Sequence, residues 1–500
     1  MTISLHACQQ PATMAAIIEQ TGAALSYARL EERSAQLARL LRASLAEGDR
    51  IGVLMENCPA YFEVCWAARR AGLRWVPINW HLKPEEVSYV AENSDARVLI
   101  ASPALAELAR AAAAQTPTLE ACYSTGASFT DFRNLDEVLA ERAWPDFGEE
   151  REGSFMFYSS GTTGKPKGIL RPLPDAPFGT PLPIEQIMQA MYGFDSDTVF
   201  YSPGPLYHAA PLGWTMGAQL HGGTSICSEK FDAERALATI EMYRVTHAQF
   251  VPTHLVRMLK LPQEVRERYD CSSLKMVVHA AAPCPPEVKR SMIEWWGPIL
   301  HEFYGSSEGA GFAAITSQEW LQHPGSVGRI MAGVPHIVDG KGRELAPGEV
   351  GELCFEGVER FEYHKDPGKT EEYFDARGWA HTGDLALLDE QGYLYLQGRS
   401  SGMIISGGVN IYPQEVENVL AMHPLVADIA VIGIADEDLG EIAQAVVQLR
   451  QPAADLEAVT AELKAACQRQ LARYKCPRSF RYIDTLPRLP SGKLLHRYLN

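Results

Sequence analysis

The sequence predicts an α/β protein of two domains, a large α/β domain over 1–398 and a small α+β domain over 399–500. Three observations carry this. The chain has 500 residues, more than one compact core fills. Short apolar segments alternate with segments whose apolar residues recur every three or four positions, as in parallel βαβ units. Gly and Ser cluster at Gly398-Arg-Ser-Ser-Gly402 between two apolar stretches, where a connection between domains is expected.

In chain order, leucines at 30, 37, 41 and 45 mark a helix over Ser26 to Glu47, stopped by Gly48. Ile51 to Met55 reads as a buried strand, Pro59 to Ala71 as a helix, Trp75 to Ile78 as a strand, Pro84 to Glu92 as a helix and Arg97 to Ala101 as a strand. The rhythm returns with a helix at Ala233 to Tyr243 and strands at His247 to Val251 and Lys275 to His279. A helix follows over Pro286 to Trp296, with Pro286 suited to its first turn. In the last hundred residues Pro413 to Met422 and Leu456 to Arg473 read as helices, and Ala427 to Ile434 and Ala443 to Leu449 as strands. Low complexity is confined to an Ala-rich helix, Ala104 to Ala114, and a Pro-rich loop, Arg171 to Pro183. There is no internal repeat.

Composition narrows the function. Hydrophobic residues make up 46% and charged residues 21%, which excludes a mainly disordered chain. Lys+Arg is 45 against Asp+Glu 62, a net charge of −17, which argues against non-specific nucleic-acid binding and a basic membrane patch. No two of the 10 cysteines are spaced C-x-x-C, so a zinc ribbon is not expected, and 10 in 500 residues are too few for a disulfide scaffold. Met1 to Thr21 lacks a signal-peptide pattern, and no apolar run is long enough to span a bilayer. A soluble cytoplasmic protein is the expectation.

The strongest chemical signal is Tyr158-Ser-Ser-Gly-Thr-Thr-Gly-Lys-Pro-Lys-Gly168. Glycines let backbone N–H groups approach phosphate oxygens, hydroxyls add donors, and Lys165 and Lys167 add charge. It is not a Walker-type P-loop, because Pro166 follows Lys165 where that motif needs Ser or Thr after its lysine. On the residues alone, the alternative is a polar surface loop.

This stretch resembles the phosphate loop of the adenylate-forming superfamily, which comprises acyl-CoA synthetases, luciferases and peptide-synthetase adenylation domains. Four further segments resemble that family's motifs in the expected order. Tyr304-Gly-Ser-Ser-Glu308 is similar to its Y-G-x-[ST]-E segment and His381-Thr-Gly-Asp384 to its T-G-D segment. Gly398-Arg399 with Met403 to Ile411 is similar to its interdomain segment, and Pro490-Ser-Gly-Lys493 to Arg497 to its C-terminal lysine motif. The resemblance covers nearly the whole chain. It implies the acyl-adenylate synthetase fold, with a large N-terminal domain of several subdomains and a small mobile C-terminal one. It also implies ATP, Mg²⁺ and CoA as ligands and a small-molecule carboxylic acid as substrate. The acid's carboxylate attacks the α-phosphate of ATP, pyrophosphate leaves, and the acyl-adenylate passes its acyl group to a thiol.

By the same resemblance, Ser159, Ser160, Gly161, Thr162, Thr163, Gly164, Lys165 and Lys167 hold the β- and γ-phosphates. Glu308, helped by Thr162, holds Mg²⁺, a hard cation that prefers oxygen ligands. Asp384 accepts hydrogen bonds from the ribose hydroxyls, and Arg399 reaches the same ribose. Tyr304 flanks the adenine, with Gly305, Ser306 and Ser307 beside it. Lys493 bridges the acid's carboxylate and the α-phosphate. Lys493, Glu308, Thr162 and His208 form the expected catalytic set. His208 also borders the acyl pocket, with Trp214, Phe250, Val251, Ala280, Ala281 and Ala282. A satisfied buried histidine and a plain strand-to-helix turn are the alternatives for His208 and the alanines. Trp295-Trp296 is expected in the core. Gly407 and Gly408 leave room for a pantetheine arm, and Lys475 meets a CoA phosphate.

Two segments depart from the family's pattern. The hinge position, commonly Asp or Lys, is Ser401, and Gly402 follows in place of an acid. The Pro-rich run Arg171 to Pro183 is either a rim near the nucleotide or a surface insertion. The run from Met403 to Pro413 is most similar to bacterial fatty-acyl and aryl-acid CoA ligases. The expected substrate is therefore a medium- or long-chain fatty acid or a related hydrophobic acid. An aryl-acid CoA ligase, an enzyme loading a carrier-protein phosphopantetheine and a non-catalytic nucleotide-binding scaffold stand as alternatives. The sequence does not decide between monomer and homodimer.

Overall fold

The computed structural model describes residues 2–159, 165–489, 492 and 494–499, Arg497 by its backbone alone. Ser160, Gly161, Thr162, Thr163, Gly164 and Lys493 lie outside the described residues. The chain divides into two compact units, 1–249 with 360–370, and 250–359 with 371–500. The join expected at 398–402 falls inside the second, where the strand Tyr393–Arg399 passes into a 3-10 turn, Ser400–Gly402.

The first unit realises the predicted βαβ rhythm. Its six-stranded sheet runs in the order Arg133–Asn134, Ala121–Ser124, Ala96–Ala101, Arg50–Leu54, Arg74–Pro77, Ser154–Phe155, and every pair is parallel. Helix Tyr27–Arg42 is capped by the Ser26 side chain and buries Leu30, Leu37 and Leu41, the stripe read from the sequence. Helix Pro84–Asn93 also forms as expected. The Ala-rich segment opens as a 3-10 turn, Pro103–Leu105, before the helix Ala106–Ala113. Sequence periodicity did not reveal helix Ala209–Leu220. Its side chains from Trp214 to Leu220 are all buried, so it has no polar face to create a stripe.

Helix Pro59–Arg70 buries two arginines. Arg69 is 1% exposed and bonds Glu152 and Glu185 through four contacts of 2.6–3.2 Å. Those carboxylates reach on to the Pro-rich segment. Glu152 accepts from the Gly179 amide at 2.6 Å and Glu185 from the Leu182 amide at 2.7 Å. Phe178 packs edge-on against Trp66. The Pro-rich run is thus tied to a buried ion triad at its C-terminal end.

In the second unit, β1 (Met276–His279) and α1 (Pro286–Trp296) form as expected, and α1 leads to a strand the sequence reading did not identify, β2 (Leu300–Gly305), which pairs with β1 in parallel. Beyond Gly305 the alternation stops. The strands then run antiparallel in the order β2, Phe312–Ile315, Gly328–Ala332, β5 (Tyr393–Arg399), β4 (Ala380–Leu388), β3 (Gly351–Glu356) and Val334–Val338. Strands that follow each other through short connections need no crossover helix. The last hundred residues form an α+β layer. Strands Ile404–Ser406, Val409–Ile411, Val426–Asp436, Gly440–Leu449 and Ser479–Tyr482 make its sheet, and helices Pro413–Leu420 and Leu456–Gln470 accompany it. Val416, Leu420, Val431, Ala445, Val447 and Leu463 fill its core.

Removing one partner from a buried ion cluster leaves uncompensated charge. Arg69→Met is expected to destabilise the first unit by about 3–5 kcal/mol. Urea denaturation of the variant checks this.

Candidate active site

In the second unit the expected nucleotide residues converge on Asp384. It sits on β4 directly opposite Arg399 of β5. Tyr304, at the end of β2, donates to its Oδ2 at 2.6 Å, and Arg399 Nε lies 2.9 Å from Oδ1. Thr382 Oγ1 accepts from the Asp384 amide at 3.1 Å and donates to the Leu353 carbonyl on β3 at 2.8 Å. Burial raises the Asp384 pKa, Arg399 opposes that, and the Glu308 carboxylate adds to the rise. Burial and the Asp384 charge push Tyr304 upward. Burial and Glu308 do the same to Tyr373, a residue that sequence reasoning missed. Glu308 is half-buried within this acidic neighbourhood, which suits a hard divalent cation. Gly305 and Ser307 are exposed and Ser306 half-buried.

The same unit carries the base of the lysine motif. Arg488 holds Asp428 with two bonds of 2.6 and 2.8 Å and donates to the Gly492 carbonyl at 2.9 Å. Gly492 has φ +82°, and a Cβ there would lie 2.4 Å from Thr253 Oγ1 and 3.1 Å from Val251. Only glycine fits this approach. Lys260 Nζ donates to the Val426 and Ala427 carbonyls at 2.8 and 2.9 Å.

In the first unit the described residues on either side of the phosphate-loop segment pair antiparallel. Ser159 pairs with Lys167 and Tyr158 with Gly168. The flanking lysines rest on aromatic faces, Lys165 Nζ at 4.8 Å from the Tyr89 ring centre and Lys167 Nζ at 5.3 Å from that of Tyr363. Tyr89 also donates to the Pro166 carbonyl at 3.2 Å. Neither tyrosine was legible as a partner from sequence.

The acyl candidates divide between the units. In the first, His208 is half-buried at the start of helix Ala209–Leu220, its ring 4.6 Å from that of Tyr207. Trp214 is 1% exposed among the rings of Tyr192, Phe194 and Phe200. In the second, Phe250 is buried beside Trp296, and Val251 precedes helix Pro252–Leu259. Ala280 is buried while Ala281 and Ala282 are exposed, and Ala281 has φ +74°. Trp295 and Trp296 are half-buried rather than core, because they end α1 at Gly297, where the chain turns at the surface.

Gly407 and Gly408, with φ +58° and +81°, form the two-residue turn between Ile404–Ser406 and Val409–Ile411. Lys475 is held by Glu415 at 2.7 Å. Ser401 lies in the 3-10 turn, and its neighbour Ser400 donates to the Gly383 carbonyl at 3.2 Å. One further group, Glu352, Cys354 and His381, brings donor atoms together across β3 and β4. Its imidazole is already bonded to Glu352 at 3.1 Å, and burial pushes the Cys354 thiol up to about 12.

The model of the AMP-binding enzyme family matches residues 5–362, and that of the family's C-terminal domain matches residues 415–493. The chain belongs to the adenylate-forming AMP-binding enzyme family. It is therefore an enzyme of the ligase class. It is 32% identical to the fatty acid–acyl-carrier-protein ligase ScoC of Streptomyces coeruleorubidus, covering 100% of this chain and 95% of that one. It is 33% identical to a feruloyl-CoA synthase of an Amycolatopsis species, covering 96% and 94%. The ATP-bound structure of MatB from Rhodopseudomonas palustris superposes with a TM-score of 0.82 at 26% identity, over 100% of this chain and 98% of that one. The expected fold class is that of the family. No helix among the described residues is long and apolar enough to cross a membrane.

A carboxyl whose pKa is raised by folding contributes stability that is present below its unfolded pKa and lost as pH rises through the folded value. Asp384→Asn keeps an acceptor for Tyr304 without the buried charge. Its melting temperature is expected to exceed that of the wild type by about 2 °C at pH 8 and to match it near pH 3, below the unfolded carboxyl's range. Thermal unfolding at both pH values checks this.

Proposed function

We propose that this enzyme activates a hydrophobic carboxylic acid with ATP and transfers the acyl group to the thiol of CoA. The Tyr304–Asp384–Arg399 cluster carries the reading. It offers an ionised acceptor, already oriented by two donors, of the kind a ribose diol requires. Tyr304 flanks the adenine, and Ser159, Lys165 and Lys167 engage the phosphates with the intervening loop residues. Glu308, with Thr162, holds Mg²⁺, which offsets phosphate charge when bound. Lys493 steadies the acid's carboxylate against the α-phosphate. The close seat of Gly492 against Thr253 supports delivery of that lysine beside Val251, a candidate acyl residue. A carboxylate oxygen bonds to the α-phosphorus as pyrophosphate leaves. The thiol sulfur then bonds to the acyl carbon as AMP leaves.

We assign 1–398 to adenylation and 399–500 to a mobile domain hinged at Ser401, whose turn admits Gly407 and Gly408 to the second half-reaction. A medium- or long-chain fatty acid or a related acid fits the apolar candidates Trp214, Phe250 and Val251. The full-length likeness to a ligase that uses an acyl carrier protein favours one second reading, in which the thiol is a carrier's phosphopantetheine.

AMP release from ATP and Mg²⁺, measured over short, medium and long fatty acids and aryl acids, tests the reading. CoA-dependent release with an apolar acid is expected. Release only with a phosphopantetheinylated carrier selects the second reading, and no release with either acceptor rejects both. Lys493→Ala is expected to cut adenylate formation at least ~100-fold while leaving thioester formation from supplied acyl-adenylate within a few-fold. Separate assays of the two half-reactions check this. Ser401→Pro should do the reverse, slowing the thioester half-reaction more than adenylation.

A further inference from the structure

Three buried side chains of the second unit have no part in the chemistry proposed above. His279 ends β1, Lys289 lies near the start of α1, and Glu302 lies on β2. Lys289 Nζ is 2.7 Å from Glu302 Oε2, and His279 Nε2 is 3.7 Å from the same oxygen. The Lys289 and His279 side chains are 0% exposed and that of Glu302 7%. His279 is paired directly with Glu302 in the parallel register. The Lys289 ammonium also lies 5.1 Å from the centre of the Trp320 ring. Among the described residues, neither ring nitrogen of His279 has a hydrogen-bond partner.

These residues bracket one turn. His279 precedes Ala280-Ala-Ala-Pro283, and Lys289 follows it on α1. Within the turn Ala281 holds φ +74°, a left-handed conformation that a residue with a Cβ adopts only when its surroundings impose it. A buried ion pair is a poor source of net stability, because an apolar pair of similar volume does as well. It does impose geometry, since both charges must meet. Here the pair fastens α1 to β2, and the register fastens β1 to β2, so both ends of the turn are fixed to one strand. Two residues further along the same buried face of that strand is Tyr304.

We propose that Lys289 and Glu302, with His279, are positioning residues that hold the Ala280–Pro283 turn and thereby set which acid the enzyme accepts. The inference rests on the reading of Ala280 to Ala282 as acyl-pocket wall. The full-length enzyme and its Lys289→Met/Glu302→Leu double variant are compared in two measurements. In steady-state AMP release, kcat/KM for the preferred acid should fall about 100-fold, with KM for ATP within about twofold. Discrimination between acids of different length should flatten, and Lys289→Arg, which keeps the ion pair, should retain most of kcat/KM. In hydrogen exchange, amides of 280–284 should open about tenfold faster while the rest of the unit is unchanged. Unchanged exchange at 280–284, or equal losses for ATP and acid, overturns the proposal. If the double variant does not fold, Glu302→Gln, which removes the charge at nearly constant volume, is read by the same two measurements. Silence of the wild type across the acid panel would reject the ligase reading, while the exchange result would still decide the positioning role.

Discussion

A carboxylate kept ionised away from water must be surrounded by donors, and the antiparallel half of the second unit is organised around that demand at Asp384. Tyr304 takes one oxygen and Arg399 the other, from β2 and β5. Thr382 ties the same strand to β3. Slipping β2, β4 or β5 by one residue would turn its contributing side chain to the opposite face. The register of three strands is thus constrained by a polar cluster as well as by apolar burial. A buried polar group without its partners is costly enough to reject competing alignments.

Much of the architecture was legible because it rests on local periodicity. Helix Pro286–Trp296 and the strand before it fall where the apolar pattern puts them, since an amphipathic face is written into consecutive residues. Helix Ala209–Leu220 was not legible, because burial on all sides erases the stripe. The antiparallel run after Gly305 was also hidden, since alternation identifies a strand and leaves its direction open. The same division holds at the site. Asp384, Arg399 and Tyr304 stand in recognisable segments. Their supports do not. Tyr89, Tyr363, Tyr373 and Arg488 act from distant points of the chain, and an isolated tyrosine or arginine has no local signature that names its partner.

The second unit contains two contrasting carboxylates, Glu302 buried and Asp384 half-buried. Glu302 is satisfied by an ammonium within its own unit and is closed to ligands. Asp384 has an arginine that is itself 64% exposed and a phenol on its other oxygen. Its remaining lone pairs stay available on the solvent side. The same functional group is sealed in one place and left partly open in the other, and the difference lies in how exposed its counter-charge is.

The lysines flanking the phosphate segment rest on the rings of Tyr89 and Tyr363. An ammonium over a ring has already surrendered part of its hydration shell and some of its rotamer freedom. Moving it from a ring onto a phosphate oxygen therefore demands less reorganisation than drawing it from bulk water. In the phosphate-binding role proposed for this segment, the two tyrosines would act as a resting berth for charge, and its affinity would depend partly on residues that never meet the ligand. In that proposed role, an aliphatic residue at either position would leave Lys165 and Lys167 themselves unchanged and still make a slower and weaker clasp.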